Sequence, residues 1–120
     1  MLGFNNPIAA NVAVNALVRA GDAAVPSLLS GVAAFNYAVN AYALRALGRI
    51  GDPAVLEVCI GCAEKGPIPN VRRAACRALA GLRFSEPRDA TRAHVVLVAL
   101  VQTEPDWGVR YAALVGLERF

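Results

Sequence analysis

The sequence predicts an all-α fold, an α-solenoid of stacked helical hairpins, and two observations carry that reading. The chain overlays on itself at steps of about 30 to 40 residues. Each overlaid segment also places apolar residues at three- and four-residue steps, the period of a helix and not of a strand. Val12 to Asp22 (VAVNALVRAGD) overlays Tyr42 to Asp52 (YALRALGRIGD), Val71 to Leu82 overlays Val39 to Ile50, and Val109 to Phe120 overlays Val71 to Leu82. Versions of one helix then share a leucine, at Leu17, Leu47, Leu79 and Leu117. Versions of a second helix lie between them, at Ala23 to Val32, Pro53 to Ala63 and about Asp89 to Val101. The sum is about seven helices in a single repeat domain over residues 1–120, read as a solenoid and not a bundle.

The unit is clearest from Phe35 to Ile68. Val39, Ala43, Leu47 and Ile50 mark one apolar face; Gly51 ends that helix, Asp52 caps the next, and Pro53 suits a first helical position, where no N–H is needed. The second helix of the unit stops at Lys65-Gly66-Pro67. Gly21-Asp22 repeats the tight corner, and Ser85-Glu86-Pro87 is a looser version of it. Pro67-Ile68-Pro69-Asn70 and Glu104-Pro105-Asp106 separate the repeats, because proline cannot extend the helix before it. The first helix (Pro7 to Ala20) and the last (Asp106 to Arg119) are apolar along most of their length. Complete solenoids close with polar terminal helices. The expectation is therefore a longer native chain, or a partner that covers these faces.

Composition narrows the classes. The chain is 57% hydrophobic but only 7% aromatic, so its apolar content is largely alanine and valine, which lets helices approach closely. Net charge is +3, with few lysines and no interleaving of basic and aromatic residues, which argues against nucleic acid. The longest uncharged run, Ala23 to Leu44, is broken by Pro26, Gly31, Asn36 and Asn40, so no membrane span is expected. No signal-peptide pattern opens the chain. Three cysteines, an odd number, do not make a secreted disulfide framework, and a reducing cytosolic compartment fits better.

No metal site or nucleophilic constellation is expected. His94 is the single histidine and has no ligand-spaced neighbours. Cys59 and Cys62 share a helix face and read as small core residues. Cys76, among Arg72, Arg73 and Arg77, has the most thiolate-favouring surroundings, with packing as the plainer reading.

The pattern VRRAACRALAGL, with GDP or GDA corners followed by AVLEV or AVPSL, resembles HEAT repeats of the phycobilisome-lyase type. Gly3-Phe4-Asn5-Asn6-Pro7, Ala24-Val25-Pro26, and Phe35-Asn36-Tyr37 leading into Ala41-Tyr42-Ala43 are similar to the F-type subunit of the heterodimeric E/F phycobilin lyases. That resemblance implies attachment of phycocyanobilin or a related bilin, as substrate and not as tightly bound cofactor, to a cysteine of a phycobiliprotein α subunit. It implies activity only with an E-type lyase subunit, and a cytoplasmic setting, cyanobacterial or plastid stroma. The sequence departs from the pattern at Asn40, where a basic residue is usual, and at Tyr42, where an indole is usual. No His-Cys dipeptide occurs, so isomerase activity is not implied. Family members are longer.

In HEAT repeats the VRRAA-type helices line the concave side. By that rule Asn36, Arg72, Arg110 and Tyr111 lie on it, together with the residues expected to bind bilin or a partner: Tyr37, Asn40, Tyr42, Arg45, Arg73, Arg77 and Trp107. Guanidinium forks suit carboxylates and flat rings suit stacking. The plainer alternative has Arg72 and Arg110 bridging to Asp52, Asp89 or neighbouring corners. Catalytic residues are not assigned, because the acceptor thiol belongs to the substrate protein. A non-catalytic HEAT adaptor that binds phycobiliproteins or other proteins stays open as the alternative function.

Overall fold

A computed structural model describes residues 7–120, with side chains from Asn11 onward. Among those residues the chain is helical, with α1 Pro7–Ala20, α2 Val25–Val32, α3 Tyr37–Ile50, α4 Leu56–Lys65, α5 Pro69–Gly81, α6 Pro87–Thr103 and α7 Trp107–Leu117. The Gly3 to Asn6 part of the first resembling stretch lies outside the described residues.

Local chemistry sets the ends. Asn36 Oδ1 accepts from the amides of Ala38 and Val39 at 3.0 and 3.2 Å and starts α3. Gly51 ends α3 at φ 78°, in the left-handed region where a residue without Cβ is unstrained. Asp52 Oδ1 then accepts from Ala54 N at 2.9 Å, and Pro53 occupies the first turn, so the expected corner is present. It is tighter than expected. Short 3-10 turns, Gly21–Ala24 and Pro53–Val55, precede the α-helices, which therefore start at Val25 and Leu56 and not at Ala23 and Pro53.

The helices form two layers. α1, α3, α5 and α7 lie side by side in one; α2, α4 and α6 form the other, each packed on the first-layer helix that follows it. Small residues bring α3 and α5 together: a Cβ on Gly48 would fall 2.6 Å from Ala78 Cα, and one on Gly81 would run into the Gly48 carbonyl. Burial follows position in the stack. Leu47 and Leu79 are fully buried, whereas their terminal counterparts Leu17 and Leu117 are only partly covered. Val12, Leu114, Val115 and Phe120 are exposed.

Two ties join consecutive repeats. Arg83 N donates to Gly51 O at 2.9 Å, corner to corner. Arg72 forks onto Glu104, with Nε–Oε2 at 3.1 Å and Nη2–Oε1 at 2.8 Å, and its Nη1 donates to Gly66 O at 2.9 Å. The Glu104 side chain is only 5% exposed. Asn11–Val32 is long and apolar enough to match a membrane span by length and composition, with mean hydropathy 1.3. Arg19 and Asp22 lie within it, however, and Gly21 at φ 66° breaks it into α1 and α2, both of which pack on α3.

Candidate functional site

On α3, residues 38, 41, 42 and 45 fall on one face by their three- and four-residue steps, and on α5 residues 70, 73, 74 and 77 do the same. Because these helices are first-layer neighbours, the two faces make a groove of about 490 Å³. Ala38, Ala41 and Ala74 leave its space open, and Tyr42, Arg45, Asn70, Arg73 and Arg77 supply its polar lining. Arg45 Nη1 donates to Asn11 Oδ1 at 2.9 Å, and Arg73 Nη2 to Asn70 Oδ1 at 3.4 Å. Among the described residues none of Arg45, Arg73 and Arg77 forms an ion pair with a carboxylate. Three exposed guanidiniums around one groove, with neutral amides as their neighbours, create a field that favours an anion.

The groove thus gathers Tyr42, Arg45, Arg73 and Arg77 of the residues singled out from sequence. Tyr37 is exposed at the start of α3 and does not line it. Trp107, 76% exposed at the start of α7, carries the Arg110 guanidinium 4.5 Å above its ring. Its neighbour Gly108 lies beside the groove's Arg73, whose Cδ and Nη1 would stand 3.8 Å from a Cβ there. Asn40 departs from expectation. It is buried, and its Nδ2 donates to Gly31 O and Ala34 O at 2.8 Å each, so its amide holds the α2–α3 connection and does not reach the groove. Asn36 is likewise spent as the α3 cap.

Arg72 and Arg110 are structural, with partners other than Asp52 and Asp89. Arg72 takes Glu104, and Arg110 Nε donates to Val101 O at 3.2 Å. Asn11 and Asn70 were not singled out from sequence. Their signal is spacing: Asn70 precedes Arg73 by one turn, and Asn11 precedes Arg45 by 34 residues, one repeat.

The cysteines and His94 do not line the groove. Burial pushes the Cys76 thiol up to about 12, with Glu104 adding to the shift and Arg72 opposing it. Cys59 is pushed up to about 12 by burial and, secondarily, by Cys62. Neither forms a thiolate near neutrality. His94 is exposed, its ring centroid 5.7 Å from that of Phe120. Among the described residues no group of His, Cys, Asp and Glu is placed to hold a metal.

The family model for HEAT repeats matches residues 25–118. Over 98% of its length the chain is 38% identical to the phycocyanobilin lyase subunit beta of Nostoc sp. and 42% identical to that of Thermosynechococcus vestitus, covering 62% and 58% of those proteins. It therefore spans about three fifths of the curated relatives it matches. Among solved structures, a chain in the complex of CpcE and CpcF of phycocyanin lyase from Nostoc sp. superposes with a TM-score of 0.82 at 40% identity, covering 98% of this chain and 72% of that one. Repeat architecture, sequence and superposition agree that the chain belongs to the HEAT-repeat family and, within it, to the phycocyanobilin lyase β (F-type) subunits.

Proposed function

We propose that this chain is the F-type half of a heterodimeric phycobilin lyase. In this reading the α3–α5 groove holds a bilin for thioether attachment to a cysteine of a phycobiliprotein α subunit. The observation that carries the reading is the convergence of Arg45, Arg73 and Arg77 on one groove, none of them ion-paired to a carboxylate among the described residues. A bilin brings propionate carboxylates and a long conjugated face; the guanidiniums fork onto the first, and Tyr42 stacks on the second. The acceptor thiol adds across the exocyclic double bond of the pigment. One S–C bond forms, the thiol proton passes to the pigment, and nothing leaves. No strong acid or base is needed from this chain. Its contribution is to hold the bilin extended and to aim one carbon at the thiol, catalysis by positioning. An E-type subunit, the kind of partner that the CpcE–CpcF complex contains, supplies the other wall in this reading.

Co-expression with an E-type subunit, phycocyanobilin and the apo-α subunit tests this, with zinc fluorescence of the denatured acceptor as readout. The double variant Arg73→Ala/Arg77→Ala should lower pigment transfer by about tenfold or more, since each hydrogen bond to a charged group is worth roughly 1.5–3 kcal/mol. Undiminished transfer would rule the groove out. The adaptor reading draws on the exposed ring stripe of Trp107 and Tyr111 on α7. Capture of phycobiliprotein with no gain of covalent pigment would favour it.

A further inference from the structure

A second cavity, of about 310 Å³, opens on the other side of Tyr42, among α1, α2 and α3. Its wall is apolar, built from Val14, Leu17, Leu28, Val39 and Ala43, with the exposed residues Ser27 and Ser30 of α2 at its rim. At about 100° per residue along α3, Ala38 and Arg45 point toward α5 while Val39 and Ala43 point toward α1 and α2. Tyr42 stands between these directions and lines both cavities. The charged groove and the apolar cavity therefore share a wall, and a single elongated ligand can occupy both by passing over Tyr42.

We propose that the bilin binds in two parts: its carboxylates sit on Arg45, Arg73 and Arg77, and one terminal pyrrole ring with its apolar substituents sits in the cavity among α1, α2 and α3. The inference rests on the reading of the groove as a bilin site and adds where the rest of the molecule goes. The volume fits. An apolar cavity of about 150 Å³ takes up a benzene, so the larger space accepts a substituted five-membered ring. The polarity fits too, since an amphipathic ligand matches a cationic groove continuous with an apolar cavity, and a uniformly charged one does not. In this arrangement Leu28 and Ala43 set which ring substituents are accepted, and the rim serines control entry.

The test is an absorbance titration of phycocyanobilin into the chain assembled with its E-type subunit. The variants are Ser30→Phe, Ser27→Leu and Arg73→Ala/Arg77→Ala. Both serines are solvent-facing, and a melt by circular dichroism confirms that each variant folds. Ser30→Phe plugs the cavity mouth and should weaken binding about tenfold or more, with Ser27→Leu in the same direction. The dimethyl ester of the pigment, which lacks the carboxylate charges, should lose sensitivity to the arginine changes and keep its sensitivity to Ser30→Phe. If the arginine variant weakens phycocyanobilin and both rim variants leave it unchanged, two-part binding is overturned while the groove stands. If the unsubstituted complex takes up no pigment at all, both readings fall.

Discussion

Arg72 and Arg73 are neighbours in sequence and opposites in role. Arg72 turns toward the α6–α7 connection and is held by Glu104 and the Gly66 carbonyl, its side chain 17% exposed. Arg73, 100° further around the helix, faces the α3–α5 groove and hydrogen-bonds the amide of Asn70, with no carboxylate paired to it among the described residues. Arginine content alone thus says little about binding in a repeat protein. What decides is whether a carboxylate one repeat away occupies the guanidinium.

Breaking the clamp should have the largest effect. Glu104→Ala leaves a half-buried guanidinium unpaired, a loss of roughly 3–5 kcal/mol, and should lower the thermal midpoint by about 10 °C or more. Arg73→Ala should stay within about 0.5 kcal/mol, as for an ordinary surface change. Equal losses in the two melts would erase the distinction.

Cys76 sharpens the comparison, because it lies on the clamp side of α5. Its folded thiol titrates at about 12 against an ordinary value of 9.0. Above the ordinary value the unfolded chain loses this proton while the folded chain keeps it. The resulting stabilisation is complete below about pH 9 and is lost as pH rises toward 12. Denaturant melts between pH 7 and 11 should show that decline, and folded protein should resist alkylation at Cys76 at pH 8. Rapid labelling there would mean the clamp side is open.

Arg92 and Glu57 pair across α6 and α4 in the outer layer, but on an exposed surface. The pair holds Glu57 below the usual carboxylate range through its hydrogen bond. Arg92→Ala should nevertheless leave the thermal midpoint where it was, because exposed pairs are screened and entropically costly. This is the smallest expected effect, and a large fall would give the outer layer a role it lacks here.

Helix count, corners and stacking were legible in the sequence because their causes are local. Gly51 and Asp52 cap, proline opens helices, and apolar residues recur at helical steps. The four groove residues were expected on one side because the VRRAA-type helices line the concave face, and the repeat overlay puts Arg45 and Arg77 at one equivalent position. Asn40 was not. Its acceptors, Gly31 O and Ala34 O, belong to the end of the preceding hairpin, and no periodicity marks a buried amide. Glu104 was missed for a related reason. It looked like part of a connecting segment, and its partner lies 32 residues back. The apolar cavity depends on three helices meeting, which pairwise spacing cannot describe.

The bond from Arg83 N to Gly51 O turns two separate loops into a crossbar. Gly51 offers a carbonyl freed by the end of α3, and Arg83 answers with the amide that follows α5, above the fully buried Leu82. The pitch between these two hairpins is therefore pinned by a main-chain bond. Side chains on the open face can vary while this main-chain tie keeps the spacing of α3 and α5.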